Sequence, residues 1–244
     1  MLHIGKYFNY VASGALGILF FPHQGKKYIK DKDKYSIHER YKFVKGKANK
    51  VLYKYLKAKL EVSGLENINN NDNYLFTPNH QGMLDPVALI DILDKPTIFV
   101  SKKETKKYPV IGKIIYMIDG IFLDRDSPRD ALNMVKEAKK HLIEGKNVTI
   151  FPEGTRSKDE DVNISSYKAG AFKCAYGTGV KIVPIVIDKS YVLLSTKVKN
   201  TDKVIKIRFL QPISSEEYEK MNTSELAIMI ENRAKEELKR MRDN

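Results

Sequence analysis

Cysteine is nearly absent. Cys174 is the only one in 244 residues, so no intramolecular disulfide framework holds this chain, and the usage fits a reducing compartment. The five histidines, His3, His23, His38, His80 and His141, are scattered. No group of Cys and His has zinc-ligand spacing, so no metal site is expected. Long apolar runs are also missing. YVASGALGILFF, residues 10–21, stops at 12 residues, whereas a spanning helix needs about 20. Lys6 precedes this run as in a signal peptide, but FPHQG follows it without a small-x-small cleavage pattern. There is no internal repeat and no long linker, which suits one large domain or a domain with an appendage. Acids are outnumbered, with 30 Asp and Glu against 43 Lys and Arg. A net charge of +13 implies a polyanionic partner: nucleic acid, an anionic membrane or a phosphorylated substrate. No aromatic–basic RNA signature and no zinc finger supports the first of these.

What is present begins with enough apolar residue for a core, 42% of the chain, which excludes wholesale disorder. The charge is unevenly placed. Residues 26–59 hold 12 Lys and one Arg against three acids, a net +10. Within that segment Ser36 and Glu39 make an S-x-x-E capping box. Ile37, Tyr41, Val44, Ala48, Val51 or Leu52, and Tyr55 then recur at three- and four-residue steps, with lysines on the other face. Two readings stand. Residues 10–21 form a helix buried in the core and the basic helix packs, solvated, on the domain. Alternatively, residues 10–21 lie in one leaflet and the basic helix meets an anionic surface, where each lysine contributes about 1 kcal/mol. The second is expected here, making residues 1–58 a two-helix membrane-associating segment.

From about residue 59 the pattern changes. LEVSG, YLFTPN, TIFVSK, IFLD, NVTIFP, KIVPIVI and VIKIRFL read as strands. Residues 86–93, 109–118, 128–144, 168–177 and 214–241 read as helices. The alternation predicts an α/β domain over 59–244, with a mostly parallel central sheet flanked by helices. In such sheets functional groups gather beyond the carboxyl ends of the strands.

NHQGMLD, residues 79–85, directly follows one predicted strand. His80 is a candidate base if a carboxylate holds its other ring nitrogen, and Asp85 is within reach. Asp85 with Pro86 is equally a good start for a helix. FPEGTRS, residues 151–157, offers a glycine, backbone N–H groups for an anion nest, and the fork of Arg156. The bland reading is a turn with a basic residue. GIFLDR, residues 120–125, places Arg125 after another strand, where it could simply pair with Asp124. VPIV, residues 183–186, has a proline that suggests a sheet edge or a bulge.

In this order the four blocks resemble those of the lysophosphatidic acid acyltransferase (1-acyl-sn-glycerol-3-phosphate acyltransferase) family: NHxxxxD, GxxFxxR, FPEGTRS and VPI. SKKETKKYPVIGKII, residues 101–115, is similar to the family's segment between the first two. The resemblance covers roughly residues 60–212, and the N-terminal pattern is similar to the family's two-helix anchor. It implies that His80 takes the proton from the sn-2 hydroxyl of a lysophosphatidate while Asp85 supports it. The alkoxide then attacks an acyl thioester directly. Gly154 and its neighbours are implied as oxyanion donors, with Thr155 in the same loop. Glu153 is implied to bind the glycerol part or fix the loop, and Arg125, Arg156 and Lys102 to bind the phosphate. No cofactor is implied beyond the acyl donor, acyl-ACP or acyl-CoA, and no nucleic acid. The expected place is the cytoplasmic face of a membrane. The alternatives are the same chemistry on glycerol-3-phosphate or another lysophospholipid, and a non-catalytic basic protein that binds nucleic acid or lipid.

Overall fold

The computed structural model describes residues 25–108, 110–157, 163–194 and 202–243. The apolar run 10–21 lies outside the described residues. Among those described, no helix is long and apolar enough to cross a membrane.

The described chain opens with helix α1 (Lys26–Lys30) and α2 (Ile37–Asn49). The capping box forms: Ser36 Oγ accepts from Glu39 N–H at 3.2 Å, and Ser36 N–H donates to Glu39 Oε2 at 2.8 Å. The helix then widens over Lys50–Tyr55 into i→i+5 winding. Tyr41, Val44, Ala48, Val51 and Leu52 are buried, whereas Tyr55, past the change of winding, is exposed. The buried stripe packs with Phe76, Leu89, Val183 and Ile205 in one apolar cluster. Residues 41–58 therefore belong to the core of the α/β domain, and the lysines Lys42, Lys50, Lys54 and Lys57 face outward.

Seven strands follow: β1 (Lys59–Ser63), β2 (Tyr74–Pro78), β3 (Thr97–Lys102), β4 (Ile121–Leu123), β5 (Asn147–Thr149), β6 (Lys181–Asp188) and β7 (Val204–Phe209). Their order in the sheet is β1-β7-β6-β2-β5-β3-β4. Only β6 with β7 pairs antiparallel, so β7 and β1 run against the other five. Successive residues face opposite sides. Leu75 joins the cluster under α5 (Pro128–Ile143) and α7 (Thr223–Asp243), whereas Phe76 joins the one under α2 and α3 (Asp85–Ile92). Helix α4 (Ile111–Met117) leads into β4.

Two expectations change and a third is decided. Of the edge or bulge expected at Pro184, the edge is excluded because β6 is internal. On its β7 side the ladder breaks between Ile185↔Phe209 and the Ile182↔Ile213 bridge, and the missing N–H falls in that break. Residues 168–177 form a short turn, Ala169–Ala171, and further i→i+3 turns that bury Ala171, Phe172, Cys174 and Ala175. The last helical run splits into α6 (Ser215–Tyr218) and α7, because Asn222 Oδ1 accepts from Ser224 and Glu225 N–H, both at 3.0 Å, and starts a new helix.

Candidate active site

Strands β2, β5, β3 and β4 are neighbours and run the same way. The carboxyl ends of these strands and the loops after them therefore open on one side of the domain: the loops after β2, β5 and β4 carry His80, Glu153 and Arg125, and Lys102 is the last residue of β3.

The loop after β2 is tied down first by Asn79, which is buried. Its side chain donates to Ile187 C=O at 3.0 Å and accepts Ile187 N–H at 2.7 Å, adding a rung between β2 and β6. The chain then turns back into α3. Asp85 begins that helix but does not cap it. Its Oδ2 instead accepts Gln81 N–H at 2.8 Å and Gly82 N–H at 3.0 Å, and lies 2.7 Å from His80 Nδ1. A carboxylate only accepts, so Nδ1 is the donor here, and in the neutral imidazole Nε2 keeps its lone pair. Asp85 is fully buried while the His80 side chain remains 18% exposed. Gly82 is required here: a Cβ would come within 2.8 Å of Ser190 Oγ.

The FPEGTRS loop interlocks with this one. The Phe151 ring lies 4.2 Å from the His80 ring, centroid to centroid. Glu153 Oε1 accepts His80 N–H at 2.6 Å, and its Oε2 accepts Ser165 N–H at 2.8 Å. Ser157 N–H returns a bond to His80 C=O at 2.8 Å. Glu153 is 3% exposed, so of the two expected roles it fixes the loop, with both carboxylate oxygens committed to backbone. Burial raises its carboxyl above the ordinary value, more than the Ser165 and His80 N–H bonds lower it.

Gly154 sits at φ +73°, and its N–H closes a turn onto Phe151 C=O at 3.0 Å. That N–H is not available to an oxyanion. The N–H groups of Thr155 and Arg156, both exposed residues, donate to nothing among the described residues. The Arg125 and Arg156 guanidinium groups make no hydrogen bond or ion pair with another described residue. Asp124 pairs with Lys103 at 3.2 Å rather than with Arg125. Lys102 pairs with Glu104 at 3.1 Å, so it would have to exchange partners to meet a ligand.

Sequence reasoning passed over Asn79 and Lys168. Lys168 donates its N–H to Pro152 C=O at 2.8 Å, and its Cγ would lie 3.9 Å from a Cβ built on Gly154. An asparagine ending a buried strand was a usable signal for the first, while nothing local marked the second. Cys174 is buried, and burial pushes its thiol up to about 12. It is no thiolate at neutral pH.

A histidine held by a buried carboxylate, with guanidinium groups at the same end of the sheet that no described residue pairs, is a class of site suited to activating a hydroxyl near an anionic group. The chain belongs to the Acyltransferase family, whose model matches residues 59–188. It is similar to the 1-acyl-sn-glycerol-3-phosphate acyltransferase LPAT1, chloroplastic, of Arabidopsis thaliana, with 38% identity over 53% of this chain and 36% of that one. The enzyme of the same type from Borreliella burgdorferi is 32% identical over 53% of this chain and 51% of its own length. The one from Saccharomyces cerevisiae is 31% identical over 74% and 60%. The matches thus span 36% to 60% of the length of these relatives. Among solved structures, the 1-acyl-sn-glycerophosphate (LPA) acyltransferase PlsC of Thermotoga maritima superposes with a TM-score of 0.67 at 24% identity, over 99% of this chain and 92% of that one. That likeness extends to the α/β fold.

Proposed function

We propose that the protein transfers an acyl chain from an acyl thioester to the sn-2 hydroxyl of lysophosphatidic acid, giving phosphatidic acid. The observation that carries this reading is the 2.7 Å contact between His80 Nδ1 and Asp85 Oδ2, with Nε2 left as the acceptor. The names of the relatives support the choice of acceptor. Nε2 takes the hydroxyl proton as the oxygen attacks the thioester carbonyl. A C–O bond forms, the C–S bond breaks, and the proton passes from the imidazolium to the departing thiolate. The N–H groups of Thr155 and Arg156 are assigned as the donors to the oxyanion, because no described residue accepts from them. Arg125 and Arg156 hold the phosphate, and Lys102 joins them if it leaves Glu104. A buried, protonated Cys174 supports direct attack over an acyl-enzyme. Acyl-ACP and acyl-CoA both present the thioester on a phosphopantetheine arm, and a chain of +13 suits either acidic donor.

The test is acyl transfer from each thioester to lysophosphatidate, compared with glycerol-3-phosphate and other lysophospholipids, in wild type, His80→Ala and Asp85→Asn. Loss of the base is expected to lower kcat by about 10²–10⁴-fold with the fold intact by circular dichroism. Full activity in His80→Ala ends the general-base assignment. Preference for another acceptor keeps the chemistry and replaces the substrate.

The acceptor's acyl chain favours an enzyme lying on the membrane, because each methylene drawn into water costs about 0.8 kcal/mol. The basic helix and the apolar residues 10–21 support attachment at an anionic, cytoplasmic face. Deleting residues 1–58 would not test the anchor alone. It would take Tyr41, Val44, Val51 and Leu52 out of the core, at about 1.5–3 kcal/mol for each large side chain, against a total stability of about 5–15 kcal/mol. Deleting residues 1–24 is expected to leave a folded protein that no longer sediments with anionic vesicles at physiological salt. Undiminished sedimentation would reject residues 10–21 as the anchor.

A further inference from the structure

Beside its buried apolar stripe, the basic helix α2 and the turn after it make polar contacts with the domain at two places, and both lead to the site. At one end it is fastened to α3, the helix that begins with Asp85, and to the turn after it. Lys45 Nζ donates to Leu93 C=O at 3.1 Å and to Asp94 Oδ1 at 2.7 Å, Asn49 to Asp91 Oδ1 at 3.1 Å, and Tyr53 Oη to Asp91 Oδ2 at 2.8 Å. At the other end stands Arg40, only 6% exposed. Its Nε donates to Tyr35 C=O at 3.1 Å, one terminal nitrogen to Met117 C=O, and the fork grips Asp119 at 2.8 and 3.0 Å. Lys32 Nζ adds a second cation on Asp119 at 2.6 Å.

Asp119 occupies a demanding corner. It sits at φ +58°, a region that Asp and Asn tolerate better than most residues. Gly120 follows with no room for a side chain, since a Cβ would lie 2.4 Å from Ile115 Cγ2 and 3.0 Å from Phe99 C=O. The chain then enters β4, which has three residues and one neighbour, β3. A strand so short and paired on one side only is weakly fixed along its own axis. Its far end carries Arg125, and the ion pair there, Lys103–Asp124, is between largely exposed side chains and worth little. The clamp at the near end, with Arg40 buried and Asp119 partly so, therefore acts with the buried Ile121 to set the strand.

We propose that Arg40 and Asp119 are positioning residues, which hold β4 so that Arg125 meets the acceptor's phosphate. The inference rests on the phosphate role given to Arg125 above. Asp119→Asn keeps the corner's tolerance for positive φ and removes the charge from the fork. Acyl transfer is read in wild type, Asp119→Asn, Arg125→Ala and the double variant, using whichever phosphorylated acceptor the wild type turns over. Asp119→Asn is expected to raise KM for the acceptor about tenfold with kcat within about twofold, the pattern of lost uniform binding. The double variant is expected to match Arg125→Ala alone, because the clamp acts through that side chain. Multiplying effects, or a fall in kcat with KM unchanged, would overturn the proposal. Amide hydrogen exchange supplies the readout that needs no activity. Exchange over Ile121–Leu123 should rise several-fold in Asp119→Asn while β2 and β6 keep their protection. Unchanged exchange there, or a rise everywhere, also overturns it. If no acceptor is turned over by the wild type, the functional reading fails while the exchange result still decides the clamp.

Discussion

The two sides of the site are built in opposite ways. On one side His80, Asp85 and Glu153 form a closed set in which two loops 73 residues apart hold each other through backbone N–H groups. On the other, Arg125 and Arg156 stand exposed on two loops and Lys102 at the end of β3, and among the described residues only Lys102 of the three has an ion-pair partner, Glu104. In the reaction proposed above, the first side needs no reorganisation before a proton moves, which is where preorganisation is worth most. The second holds side chains free to close on an anion when it arrives. A phosphate is a large, multidentate charge and tolerates such adaptation, whereas a proton transfer does not.

The comparison is sharpened by asking which kinetic constant each side controls. The dyad variants set the largest effect, on kcat. Next come the rim arginines. Arg156→Ala is expected to raise KM for the phosphorylated acceptor about tenfold and to change kcat much less, since a charge-assisted fork contributes about 1.5–3 kcal/mol. The penalty should shrink in high salt, because an exposed cation's attraction is screened. Steady-state kinetics at two ionic strengths check this. Should Arg156→Ala instead lower kcat as severely as His80→Ala, the rim is part of the chemical machinery and the division drawn here fails.

The same contrast governs what could be read from the sequence. All seven strands were legible, because alternation and β-branched runs are local signals. His80 with Asp85 was legible because five residues of spacing already restrict where the carboxylate can reach. Glu153 was noticed, but its role was open between substrate and loop. Its two partners, His80 N–H and Ser165 N–H, lie in other loops and no local pattern records them. The reversed direction of β7 depends on how the chain returns to β6, which is tertiary. The Arg40–Asp119 grip spans 79 residues and is invisible for the same reason. The split of the last helix was different. Asn222 and Glu225 form an N-x-x-E start signal inside the run, which the reading of 214–241 as one helix passed over.

The smallest effect expected concerns the pH dependence of the interlock itself. Burial raises the Glu153 carboxyl above its ordinary value. The folded protein then holds that proton more tightly than the unfolded chain does. By linkage, the contribution of Glu153 to stability is fully present below the ordinary carboxylate range and is lost as pH rises through the raised value. Glu153→Gln cannot titrate, and it offers one acceptor where two N–H groups need one each, so it carries a constant penalty of about 1–3 kcal/mol. Denaturant unfolding of wild type and variant between about pH 4 and 7 separates the two contributions. The advantage of the wild type should be largest at the acid end and decline toward neutrality. An advantage that grows with pH would mean that the two backbone N–H bonds outweigh burial and that the carboxylate is the form the fold prefers. The closed side of the site would then be held by charge as well as by shape.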